Sequence, residues 1–166
     1  MTPSDQELEA FALQLGRALQ ARGWRLATAE SCTGGWIGKA LTDVAGSSQW
    51  FDGGVVAYSN AAKKALLDVP GKVLAAHGAV SEEAVRAMAD GARRRFAADI
   101  SVAVSGIAGP DGGTEETPVG TVFLAVADEA GVLVKEHKFN GDRERVRALS
   151  AQLTLELIRR RLLGLL

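Results

Sequence analysis

The sequence predicts an α/β protein, a three-layer α/β/α sandwich built on a mixed β-sheet. Helical and strand-like segments alternate along most of the chain, the pattern of a sheet covered by helices on both faces. Ile100–Val104 is an unbroken apolar run, as in a strand buried on both sides. Two later strand-like runs flank a short turn, which adds an antiparallel hairpin and makes the sheet mixed.

The elements follow in order. Ser4 and Glu7 stand at capping-box spacing, and Leu8, Phe11, Leu15 and Leu19 follow at helical intervals, so a first helix runs to Gly23. Arg25–Ala29 reads as a short strand and Gly34–Thr42 as a helix. Phe51–Tyr58 is strand-like around Val55 and Val56, and Asn60 is placed to cap a helix through Leu67. Ser81 starts a further helix, with Glu82 and Glu83 in its first turn and an apolar face of Val85, Met88, Ala92 and Phe96. After the Ile100–Val104 strand, Thr121–Ala127 and Val132–Phe139 form the hairpin around Glu129-Ala130-Gly131. Asp142 opens a last helix carrying Val146, Leu149, Leu153, Leu157 and Ile158. No repeat, low-complexity tract or linker interrupts the chain, so residues 1–166 are expected to form a single domain.

Composition narrows the function classes. The chain has 166 residues, 47% hydrophobic and 23% charged, which are ordinary values for a folded domain. A net charge of −1 provides no field to attract nucleic acid or anionic lipid, so neither is an expected partner. One cysteine and two histidines leave no disulfide framework and no Cys/His zinc site, so no metal is expected. The first residues read as a polar helix, and no apolar run approaches the ~20 residues that span a bilayer. A cytoplasmic protein is the expectation.

Three strand-to-loop segments hold the candidate chemistry: AESCTGG at 29–35, VVAYSNAAK at 55–63 and SGIAGPDGG at 105–113. Ligand sites of open α/β sheets form where strands run into such loops. Ser31 stands between a strand and a helix start, followed by Thr33, Gly34 and Gly35. A serine there can attack a carbonyl if a base takes its proton, while first-turn N–H groups at Thr33–Gly35 hold an anion or oxyanion. The same segment also reads as a simple helix cap formed by Ser31 or Thr33.

Lys63 is the candidate base, because partial burial lowers a lysine pKa and frees its lone pair. Taken alone, its default reading is an ordinary surface lysine. His77 and His137 read as solvated residues, and Cys32 as a small buried filler. Tyr58 and Asn60 can orient a ring or ribose, though a core tyrosine and a helix cap are alternatives. The loop from Ser105 and Gly106 to Gly112 and Gly113 lacks Gly-Lys-Ser/Thr and is followed by a strand, so it is neither a Walker A nor a dinucleotide motif. Its exposed backbone can still approach an anion closely. Arg143 and Arg147 lie one turn apart and can reach a phosphate, or pair with Asp142 and Glu144.

Together, ATAESCTGG, LTDVAGSSQWFDGGVVAYSNAAK, HGAVSEEAVRAMADGARRRF, SGIAGPDGGTEETPVGTVFLAV and GDRERVR resemble the CinA C-terminal domain family, from about Arg25 to Arg147. The resemblance implies hydrolysis of the carboxamide of nicotinamide mononucleotide to nicotinic acid mononucleotide and ammonia. It implies Ser31 as nucleophile, Lys63 as general base, and Tyr58 and the loop from Ser105 as pocket residues. A homo-oligomer is implied, with no metal and no cofactor. Two positions depart from the usual family pattern: Ser105 stands where Thr is more common, and Asp111 where Gly often occurs. An inward-facing Asp111 would repel a phosphate. A non-catalytic nucleotide-binding module, or an amidase for another pyridine or nucleotide amide, remains the alternative.

Overall fold

The computed structural model describes residues 1–166. Its strands are β1 (Leu26–Glu30), β2 (Phe51–Val56), β3 (Ile100–Gly106), β4 (Thr121–Asp128) and β5 (Gly131–Lys138). They form one sheet in the order β2-β1-β3-β4-β5. β1 pairs in parallel with β2 and β3, whereas β3–β4 and β4–β5 are antiparallel. The carboxyl ends of β1, β2, β3 and β5 therefore share one edge of a mixed sheet.

Helices α1 (Asp5–Arg22), α2 (Trp36–Thr42) and α6 (Arg143–Leu162) cover one face. The opposite face carries α5 (Glu82–Phe96), with α3 (Asn60–Leu67) and α4 (Gly71–His77) packed beside it. The α/β/α layering follows from side-chain alternation along the strands. In β3, Ile100, Val102 and Val104 point to the α1/α2/α6 face, and Ala103 points to the α5 face. On β3 and β4 the larger buried aliphatics thus face α1, α2 and α6, and the buried alanines face α5. Ala84, Ala89 and Ala92 of α5 lie against Ala29, Ala103, Ala125 and Ala127 of the sheet, so this helix approaches closely.

Most predicted elements are present, with local shifts of known cause. The capping box is formed: Glu7 N–H donates to Ser4 Oγ at 3.2 Å, and Ser4 N–H to the Glu7 carboxylate at 2.7 Å. Gly23 ends α1 with a left-handed φ of 66°. Helix α2 starts at Trp36 rather than Gly34, because Gly34 and Gly35 take φ of 60° and 101° and complete a turn first. Ser59, not Asn60, caps α3, accepting from Ala62 N–H at 3.0 Å. Asn60 is instead its first residue. Helix α4, with His77 at its end, is too short to show a helical period in the sequence.

The approach of α5 to α3 requires Gly91, where a Cβ would fall 1.9 Å from the Leu67 carbonyl oxygen. Gly91→Ala should therefore cost about 2–3 kcal/mol or more in denaturant unfolding, since neighbouring backbone must move to admit the methyl group.

Candidate active site

The strand ends place the site. Beyond β1, Ser31 N–H donates to the Val104 carbonyl at 3.0 Å, so the ladder to β3 continues one residue past the strand. Beside it, Ala57 N–H donates to the Glu30 carbonyl at 2.9 Å and carries β2 toward the α3 cap. Capping by Ser59 fixes the direction of the first turn of α3. Lys63 extends back from that turn, as helical side chains do, toward the sheet edge.

Lys63 is only 1% exposed and is among the largest fully buried side chains of the chain. Its Nζ donates to Ser31 Oγ at 2.9 Å, to the Ala57 carbonyl at 3.0 Å and to the Tyr58 carbonyl at 2.9 Å. Every partner is a neutral oxygen. Burial pushes the Lys63 pKa below the ordinary lysine value of 10.5. The opposing pull of a Cys32 thiolate operates only at high pH, because burial raises the Cys32 pKa to about 11. In the uncharged amine, the two carbonyls engage the two protons and the lone pair faces Ser31. That arrangement can remove a proton from the alcohol.

Ser31 and Lys63 open onto a crevice of about 240 Å³ that Tyr58, Ser105, Gly106 and Arg143 also line. Arg143, at the start of α6, donates to the Gly109 carbonyl at 2.8 Å and to the Tyr58 hydroxyl at 3.3 Å. It thereby ties the Gly-rich loop to the segment after β2. Tyr58 itself is 63% exposed, so it borders the opening and is no core tyrosine. Cys32, Ala79, Val80 and Ala108 complete the lining. Ala79 and Val80 belong to the α4–α5 connection, whose sequence carries no chemical signal.

Other candidates lie elsewhere. Thr33, Gly34 and Gly35 border a separate depression with Trp36 and Arg147. Asn60, Gly112 and Gly113 are exposed and lie outside the crevice lining. Asp111 is exposed and also outside it, so its carboxylate does not oppose an anion there. Arg147 pairs with neither Asp142 nor Glu144. It donates to the Cys32 and Thr33 carbonyls at 3.0 and 3.3 Å and stacks 5.4 Å from the centre of the Trp36 ring. Neither His77 nor His137 lines the crevice.

At the expected anion cradle of Thr33–Gly35, the Gly35 N–H is already engaged by Glu30. Its carboxylate accepts from Gly35 and Ile37 N–H at 3.2 and 3.0 Å, and from Gly38 N–H at 3.0 Å. The Gly34 N–H is also engaged, on the Ser31 carbonyl at 3.1 Å. Within the turn, the Cys32 and Thr33 N–H groups donate to no other group of the chain.

A model of the CinA C-terminal domain matches residues 8–162. The chain belongs to the CinA C-terminal domain family. Nicotinamide-nucleotide amidohydrolase PncC of Enterobacter agglomerans is 52% identical over 154 residues, covering 92% of this chain and 94% of that relative. A CinA-like protein of Geobacter sulfurreducens is 53% identical over 90% of this chain, which spans only 36% of that longer relative. The crystal structure of competence damage-inducible protein A (ComA) from Klebsiella pneumoniae matches with a TM-score of 0.91 and 42% identity. That match covers 94% of this chain and 97% of the other. The mixed-sheet α/β architecture is therefore that of the CinA superfamily.

In this CinA-domain chain Cys32 follows Ser31 directly and carries a buried thiol whose pKa burial raises to about 11. Iodoacetamide at pH 8 should alkylate Cys32 at least about tenfold more slowly in the native protein than in urea, because its buried thiol stays protonated. Equal native and unfolded rates would show an accessible thiolate.

Proposed function

We propose that this chain hydrolyses the carboxamide of nicotinamide mononucleotide, with Ser31 as nucleophile and Lys63 as general base. The observation that carries the reading is the 2.9 Å contact between Lys63 Nζ and Ser31 Oγ in a buried setting without a carboxylate partner. The substrate class is supported by the relative of nearly equal length, named a nicotinamide-nucleotide amidohydrolase.

Lys63, uncharged, takes the Ser31 proton as Oγ bonds to the carboxamide carbon. Charge on the carbonyl oxygen is met by backbone donors, for which the Cys32 N–H beside the nucleophile is free. The ammonium of Lys63 then protonates the departing nitrogen, the C–N bond breaks, and ammonia leaves an ester on Ser31. Water, deprotonated by Lys63, attacks that ester and releases the carboxylate and the serine. Arg143 keeps guanidinium N–H groups beyond its two internal bonds, and these suit the substrate phosphate.

Purified protein incubated with nicotinamide mononucleotide should release ammonia and nicotinic acid mononucleotide in equal amounts. Ser31→Ala should reduce turnover by roughly 10³-fold or more, with nucleotide binding retained. Lys63→Arg keeps a long basic side chain but one that cannot deprotonate, so a loss of at least ~10²-fold is expected. Full activity in either variant overturns that residue's role, and hydrolysis of other amides alone would redirect the substrate assignment.

The pH dependence has a definite sign. Only the uncharged amine is a base, and burial lowers the Lys63 pKa. kcat/KM should therefore rise with pH along a limb whose midpoint lies below 10.5. That limb should be missing from the residual activity of Lys63→Arg.

A further inference from the structure

Glu30 is the last residue of β1, is 2% exposed, and immediately precedes Ser31. Strand alternation sends the two side chains to opposite faces of the sheet. Ser31 meets Lys63 on the α3–α5 side, and Glu30 turns under α2. There one carboxylate oxygen accepts from Thr33 Oγ1 at 2.7 Å and from the Gly35 and Ile37 N–H groups, while the other accepts from Gly38 N–H. No cation pairs with it. A buried carboxylate is costly unless its oxygens are well supplied with donors, and here four donors come from the segment that follows Ser31.

The turn is held from its other side as well. Arg147 takes the Cys32 and Thr33 carbonyls, so α6 holds two of the turn's acceptors while Glu30 holds its Thr33 hydroxyl and Gly35 N–H. We propose that Glu30 is a positioning residue for Ser31, holding the serine turn against the first turn of α2 so that Oγ stays within reach of Lys63. The proposal rests on the reading of Ser31 as nucleophile. A turn anchored only at its ends could shift by an ångström, and misplacement of that size costs about 10²-fold in rate. Simple capping of so short a helix needs only a serine or threonine hydroxyl, not a buried carboxylate in a core strand.

Glu30→Gln tests this. Glutamine keeps one acceptor oxygen but places an amide NH2 against Gly38 N–H, donor facing donor. With the variant shown folded by circular dichroism, Ser31 should react with a fluorophosphonate probe about tenfold more slowly or worse. kcat for nicotinamide mononucleotide should fall in parallel, and KM should change less than about twofold. Thr33→Val removes one of the four donors while keeping shape, and should lower both rates in the same direction by a smaller factor. A purely structural role would lower the melting temperature but leave the labelling rate per folded molecule unchanged. Labelling and kcat within about twofold of the parent in folded Glu30→Gln overturn the proposal. If that variant does not fold, parental rates in Thr33→Val overturn it. Failure of the parent protein itself to label at Ser31 overturns the nucleophile reading instead.

Discussion

The site depends on keeping a lysine amine dry beside an alcohol. An ammonium taken out of water loses several kcal/mol of hydration, and a carboxylate partner would restore that loss while holding the proton in place. Lys63 has only the Ala57 and Tyr58 carbonyls and the Ser31 hydroxyl. Those oxygens satisfy its geometry without supplying a full negative charge. The amine is thus oriented, and its proton affinity stays reduced. Everything else around the site serves to bring these few oxygens to one point.

That convergence is a property of the sheet. Three parallel strands, β2, β1 and β3, end side by side, and each delivers a segment of the crevice: Tyr58 and Lys63, Ser31, and Ser105 with Gly106. Strand β5 ends on the same edge, which brings the start of α6 and Arg143 over the opening. The unequal faces of the sheet matter too. Small residues beneath α5 let it lie close to the strands, and α3, which carries the buried Lys63, packs against α5.

Charge is distributed with the same economy. The N-terminus of α2, an ordinary place for an anion, is occupied by the protein's own Glu30. Besides Lys63, the basic residue that lines the crevice is Arg143, held on the Gly109 carbonyl and the Tyr58 hydroxyl. Arg147, one turn further along α6, is engaged with backbone carbonyls and serves the turn instead.

Much was legible along the chain because the signals are local. Capping by Ser4, Ser81 and Asp142, the apolar period of the long helices and the hairpin turn require only neighbours in sequence, and they define the α/β class. Ser31 and Lys63 were recognisable as reactive types at strand-to-helix junctions. The short α4, the Ala79–Val80 wall and the role of Glu30 were not, since none has a period or motif of its own. Glu30 carries no motif signal of its own in the sequence. Its meaning comes from alternation at a strand end together with four donors arranged by a fold. Local signals along the chain specify the set of elements and the chemical types available. Which groups meet and which are dry is settled by packing in three dimensions, because burial and hydrogen-bond partnership between Ser31 and Lys63, 32 positions apart, do not follow from spacing.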